Sequence, residues 1–195
     1  VAVIGCSEMG KHHMRGVVNI EGASLYAICD NARDDRLAKC KEEFNVPVAV
    51  RDYRELVCDE SVDAAVIVTP DKLHLEMTEA FLRAGKDVLC EKPMALDREQ
   101  CDRMIKASEQ GGKTLMIGHC LRFWREYVYL KEVTEKSVYG ACLKASFWRG
   151  GYQDHVNSPS WEDWIITREK GGGGLFDQHI HDVDMVQYLF GMPDS

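Results

Sequence analysis

Val1-Ala-Val-Ile4-Gly5-Cys-Ser7-Glu-Met-Gly10 is the stretch on which the fold turns. A short apolar run stops at a glycine, a small turn follows, and the residues from Lys11 to Asn19 suit a helix. Strand, glycine turn and helix in that order match the dinucleotide fingerprint Gly-x-Gly-x-x-Gly. There the first glycine makes the tight turn, the second lets a pyrophosphate approach, and the third packs helix on strand. Ser7 stands in place of the second glycine, and its hydroxyl suits a phosphate oxygen. Gly5, Ser7, Glu8, Met9 and Gly10 are therefore the candidate phosphate-binding residues. One imperfect glycine motif is weak evidence, so the chain downstream must support it.

Ala23 to Cys29 reads as a second strand and ends at Asp30, 25 residues after Gly5. A carboxylate there accepts the ribose hydroxyls of an adenosine and repels a 2'-phosphate, which favours NAD over NADP. Arg33 and Arg36 leave some room for NADP, and the competing reading has Asp30 begin the turn and cap a helix from Arg33 to Phe44. The alternation then continues. Strands are predicted at Val46 to Val50, Val62 to Val68, Asp87 to Cys90 and Thr114 to Gly118. Helices are predicted at Tyr53 to Cys58, Leu73 to Ala84 and Leu96 to Gln110. Near-continuous apolar strands between amphipathic helices predict a parallel sheet covered on both faces. A dinucleotide-binding Rossmann domain is expected over residues 1–118, with residues 119–195 beginning a second domain.

Thr69, Pro70 and Asp71 close the fourth strand, with His74 just beyond as a helix cap or a cofactor neighbour. Glu91-Lys92-Pro93 ends the fifth. Ligands of open α/β sheets bind outside these carboxyl ends. Proline restricts the residue before it, so Lys92 is aimed, and an aimed ammonium steadies a developing alkoxide. The plain alternative is a Glu-Lys surface pair before a proline stop.

Gly171-Gly-Gly-Gly-Leu-Phe-Asp177-Gln-His179-Ile-His181-Asp-Val-Asp184 reads as a helix opened by glycines and closed at Gly191. It sets Asp177, His181 and Asp184 on one face and Phe176, Ile180, Val183, Val186 and Phe190 on another, where they are expected to bury. A carboxylate one turn before a histidine orients a general base, although a polar stripe is also what any surface helix shows. Zinc binding by His179 and His181 is disfavoured, because positions i and i+2 point apart on a helix; no metal is expected. Before this helix come a helix from Trp124 to Glu135, a strand from Ala141 to Arg149, and a loop from Gly150 to Lys170. The loop's edges and interior carry Trp148, Tyr152, His155, Asn157, Trp161 and Trp164. These suit a sugar or polyol, but pinning the loop is the more ordinary use of such tryptophans.

The net charge of -8 over 195 residues argues against a nucleic-acid surface. Apolar runs such as Ala64 to Val68 are far too short to span a bilayer. Eight cysteines without a Cys-x-x-Cys pair suit free thiols in a reducing cytoplasm. The chain starts at Val1 inside a strand-like run, without an initiator methionine or signal sequence, so its start is read as missing or removed.

On Gly5 to Gly10, Thr69-Pro70 with His74, Glu91-Lys92-Pro93 and the pattern from Gly171 to Asp184, the chain resembles the glucose-fructose oxidoreductase and inositol dehydrogenase family. These are nicotinamide-dependent sugar oxidoreductases, and the motifs occur in the family's order and spacing. The resemblance implies a Rossmann domain followed by an α/β domain with a mainly antiparallel sheet. It implies NAD as cofactor and Lys92, Asp177 and His181 as catalytic residues. Gly5 to Gly10, Asp30, Thr69, Pro70, His74, Glu91 and Lys92 would lie along the cofactor. It also implies a sugar or cyclic polyol substrate and a homo-oligomeric full-length form, dimer or tetramer. Ser7 departs from the family's glycine, and Asp71 and His179 stand where asparagine and glycine are frequent. Family members are longer, so the chain reads as a fragment expected to bind dinucleotide better than it turns over substrate. Three other readings remain: NAD-dependent glycoside cleavage at the same site, a non-catalytic dinucleotide sensor, and a metal-dependent hydrolase.

Overall fold

Six apolar runs between Val1 and Gly118 become strands, and each strand lies parallel to its neighbours. A computed structural model of the chain describes residues 1–31, 34–148 and 175–193. The strands are β1 (Ala2–Ile4), β2 (Ala27–Cys29), β3 (Val48–Val50), β4 (Ala64–Ile67), β5 (Asp87–Cys90) and β6 (Leu115–Ile117). Between them run α1 (Glu8–Val18), α2 (Asp34–Glu43), α3 (Tyr53–Val57), α4 (His74–Arg83) and α5 (Arg98–Gly111). The six-stranded sheet has the order β3-β2-β1-β4-β5-β6. Its register pairs Ala2 with Ala27 on one side and with Ala65 on the other. The order reverses between β1 and β4, which is the switch point where such sheets hold ligands.

Alternation along the strands explains the two layers of helices, since successive side chains point to opposite faces. Ala2, Ile4, Ala27 and Ile67 pack on one side with Leu56, Phe81, Leu82 and Met104. Val3, Ile28 and Val66 pack on the other with Met14, Val17, Leu37 and Cys40. Short polar residues start the helices. Asp97 accepts from the Gln100 amide at 2.9 Å before α5, and Asp52 accepts from the Arg54 amide at 3.0 Å before α3. Gly112 ends α5 at φ +59°.

By compactness the chain divides into two units, Val1–Gly118 and His119–Ser195. In the second, a 3-10 turn (Cys120–Phe123) precedes α6 (Arg125–Glu135), and a π turn (Leu175–His179) runs into α7 (Ile180–Phe190). Arg122 and Lys131 lie 5.0 and 4.9 Å over the Tyr188 ring, and Lys131 Nζ donates to the Tyr188 carbonyl at 2.6 Å. These contacts join α6 and the 3-10 turn to α7.

Three expectations are corrected here. Residues 141–148 form no strand, and Leu143 and Trp148 are 95% and 90% exposed. A strand exists only by pairing, and no described segment of this unit offers it a ladder. The described residues hold one sheet, the parallel one of the first unit. The Asp177 to Asp184 helix begins as a π turn rather than an α-helix. Its buried side is Asp184, Met185 and Leu189, whereas Val183, Val186 and Phe190 are exposed. The Arg122 ion pair with Asp184 and the stacking on Tyr188 fix that rotation. The predicted loop from Gly150 to Lys170 and the glycines 171–174 lie outside the described residues.

Candidate functional site

In the first unit the predicted cofactor residues follow the carboxyl ends of β1, β2, β4 and β5, so the parallel sheet gathers them along one edge. Gly5 leaves β1 at φ +108°, and a Cβ there would meet the Val68 carbonyl oxygen at 2.2 Å. A Cβ on Gly10 would meet the Gly5 carbonyl oxygen at 2.0 Å. The turn is therefore closed to any side chain at both positions. Ser7, at φ -66° and ψ 177°, needs no glycine. Its Oγ folds back as the α1 N-cap, 3.4 Å from the Gly10 amide, and keeps its own O–H to donate. Glu8 and Met9 are exposed in the first turn of α1, where helix amides favour a phosphate. This cradle fits a pyrophosphate.

Asp30 closes β2 and is 5% exposed. Its Oδ2 accepts from the Cys6 amide at 2.8 Å, which ties the fingerprint turn to the end of β2. Arg36 of α2 forks onto the same carboxylate, with Nε to Oδ2 and Nη2 to Oδ1 both at 2.9 Å.

Thr69 and Pro70 leave β4 and lead through a 3-10 turn (Asp71–Leu73) into α4. Asp71 and His74 are buried. The His74 ring spans two carbonyls, Nε2 to Thr69 at 2.9 Å and Nδ1 to Pro93 at 2.8 Å. Burial pushes its pKa below the ordinary histidine value, against the pull of the Pro93 and Thr69 carbonyls. His74 thus ties the β4 turn to the Glu91-Lys92-Pro93 turn and does not cap α4 with its side chain. The peptide bond between Lys92 and Pro93 is cis.

Glu91 lies against Gly118, where an added Cβ would stand 3.1 Å from the carboxylate. Its Oε1 meets His13 Nε2 at 2.7 Å, and its Oε2 accepts from the Lys92 amide at 3.1 Å. Burial raises the Glu91 pKa, but the His13 hydrogen bond and charge with the Lys92 amide outweigh it, and the net shift is downward. His13 therefore links the phosphate-side helix to the lysine turn. The sequence reading missed it, although Gly10, His13, Met14 and Val17 fall at helical spacing on one face. It also missed the Cys6 amide, because main-chain donors leave no mark in a sequence.

In the second unit Asp177 lies in the π turn and His181 in the first turn of α7, both half-buried. Asp177 Oδ2 accepts from Gln178 Nε2 at 2.8 Å. Single π turns inside helices occur often at functional sites. Asp184 is a structural anchor: Arg122 Nε donates to its Oδ2 at 2.9 Å, Arg122 Nη2 donates to its Oδ1, and His119 Nδ1 stands 3.7 Å away. His179 is exposed and pairs with Asp182 at 3.3 Å. No group of three metal-ligating side chains is found among the described residues. A shallow groove lined by Tyr53, Glu79, Arg83 and Arg103 holds none of the predicted site residues.

A fingerprint turn, an acidic end of β2 and a switch point beside β1 define a Rossmann dinucleotide-binding fold. The chain belongs to the oxidoreductase family with an NAD-binding Rossmann fold, whose profile matches residues 1–119. Residues 127–195 match the GFO/IDH/MocA C-terminal domain. The chain is 36% identical to myo-inositol 2-dehydrogenase of Thermotoga maritima, over 98% of this chain and 54% of that protein. It is 33% identical to 2,7-anhydro-N-acetylneuraminate hydratase of Mediterraneibacter gnavus, over 100% of this chain and 50% of that one. Among solved structures it superposes on myo-inositol 2-dehydrogenase of Lactobacillus plantarum with a TM-score of 0.80 and 29% identity, over 97% of this chain and 56% of that one. A levoglucosan dehydrogenase bound to NADH superposes with a TM-score of 0.80 and 25% identity, over 97% and 53%. The chain spans about half the length of the curated relatives it matches. No helix among the described residues is long and apolar enough to cross a membrane.

Proposed function

We propose that the whole protein is an NAD-dependent dehydrogenase that oxidises a CH–OH carbon of a sugar or cyclic polyol. Residues 1–118 bind the dinucleotide, and residues 119–195 begin a substrate domain with a mainly antiparallel sheet. The observation that carries the reading is the closed fingerprint turn tied to Asp30 through the Cys6 amide. Gly5 to Gly10 receive the pyrophosphate, with Ser7 donating its hydroxyl. Asp30 faces the adenosine ribose, and Thr69, Pro70, His74, Glu91 and Lys92 flank the rest. When bound, the nicotinamide supplies the hydride acceptor. His181 receives the hydroxyl proton, Asp177 orients its ring, and Lys92 steadies the negative charge developing on the oxygen. Inositol and sugar dehydrogenases among the relatives support this substrate class. A homo-oligomer in the cytoplasm completes the proposal.

The test is a fluorescence titration with NADH, then dehydrogenation of inositols and aldoses by the whole protein and its Lys92→Met and His181→Asn variants. Loss of turnover by about two to four orders of magnitude with NADH binding retained is expected. Turnover that survives Lys92→Met overturns the assignment. The hydratase relative favours a second reading, NAD-dependent cleavage at the same site, in which a bound nicotinamide would take up and return the hydride while the same residues move the protons of an elimination. Product without net NADH formation would mark it.

A further inference from the structure

The chain carries a net charge of -8, yet the groove between α4 and α5 is positive. Two adjoining hollows of about 380 and 260 Å³ share Glu79, Arg83 and Arg103, with Lys72 and Glu76 lining the first and Lys106 the second. Four basic side chains thus face two carboxylates. Glu79 is buried, and it accepts from Arg103 Nη2 at 2.7 Å and from Arg83 Nη2 at 3.1 Å. One buried carboxylate therefore fixes two half-exposed guanidiniums side by side, each with N–H groups left over. Glu76 is held instead by the Tyr53 hydroxyl at 2.6 Å and by Arg54 at 2.9 Å. Counting Arg54 and also Glu99, whose charge reaches Arg103, leaves the positive excess unchanged.

We propose that Arg83, Arg103 and Lys106 form a second anion site, which takes the dianionic phosphate group of inorganic phosphate or of a phosphate ester. Guanidinium forks match phosphate oxygens, and the doubly charged group balances the excess positive charge of the groove. Glu79 holds both arginines in place before a ligand arrives, so less side-chain freedom is lost on binding than at a cluster of unattached lysines. The site is separate from the cofactor edge. Arg83 closes α4 and Lys106 lies in the second half of α5, so both stand toward the amino ends of the strands, opposite the fingerprint turn. It owes nothing to the dinucleotide reading.

Calorimetric titration of the whole protein with inorganic phosphate, glycerol phosphate and acetate, at constant ionic strength and with or without saturating NADH, tests it. Phosphate should bind equally well in the presence of NADH, and acetate at least about tenfold more weakly. The double variant Arg83→Gln/Lys106→Gln keeps Arg103 on Glu79, so no buried carboxylate is left unpaired, and it should weaken phosphate by about tenfold or more. Glu79→Gln should act in the opposite direction. It removes the carboxylate that competes for the two guanidiniums and should tighten phosphate by about threefold or more. Equal binding of the two phosphates would mark the phosphate group alone as the ligand, and a preference for glycerol phosphate would mark an ester; either supports the site. Phosphate that binds no tighter than acetate, that NADH displaces, or that the double variant holds as well as the unaltered protein does, would overturn it while leaving the Rossmann reading intact.

Discussion

Gly10 has no room for a methyl group, since its Cβ would stand 2.0 Å from a main-chain oxygen that the tight turn holds in place. Gly10→Ala must open the turn, and a loss of at least about 3 kcal/mol is expected in urea unfolding, with dinucleotide binding lost alongside. Ser7→Gly removes only an N-cap with a long 3.4 Å contact, so its effect should stay near a few tenths of a kcal/mol. Glu91 behaves differently because its contribution depends on pH. Its folded pKa is held below the ordinary glutamate value of 4.5, so the charged form is the one the fold favours. The stability it adds is complete above that value and is lost as pH falls through the lowered one. Urea titrations of the native chain and Glu91→Gln should therefore show a gap that holds from pH 7 to 5 and closes on further acidification. A gap that widened in acid would contradict the assignment.

At the scale of elements, strands and helices were legible where apolar periodicity and a stop signal coincided. Asp87 to Cys90 was read at its full extent and α3 at its true start, Tyr53, whereas α1 and α5 were read from Lys11 and Leu96 although they begin at Glu8 and Arg98, after the caps Ser7 and Asp97. The second strand was read four residues too long, because Ala23 and Leu25 are apolar but precede the ladder that begins at Ala27. The rotation of α7 was not legible. Val183, Val186 and Phe190 look like a core face, yet Asp184 takes the buried position because Arg122, distant in sequence, neutralises it. Helical spacing reports which residues share a face and says nothing of which face a remote cation claims. Arg122→Ala should expose that dependence. It leaves a buried carboxylate, although the arginine's own partial exposure reduces the loss to about 1–2 kcal/mol. A double-mutant cycle with Asp184→Asn, read by chemical denaturation, should return a coupling of that size.

For the molecule as a whole, the order β3-β2-β1-β4-β5-β6 was legible as a class from strand–helix alternation and the fingerprint alone. The links that organise its carboxyl edge were not. His13 to Glu91 and His74 to Pro93 each join positions that only the assembled sheet makes neighbours. The first unit, Val1–Gly118, has apolar cores on both sides of its sheet, each lined by its own helices. Residues 1–118 expressed alone should accordingly fold cooperatively. A ligand that binds only the folded state adds stability set by its concentration over Kd, about 2.7 kcal/mol at a hundredfold excess. NADH at that excess should raise the midpoint of thermal unfolding of residues 1–118 by several degrees, and by a comparable amount for the longer chain. If the shift vanished in the shorter piece while persisting in the longer one, residues beyond Gly118 would have to hold the dinucleotide, and the assignment of its binding to the parallel sheet would fail.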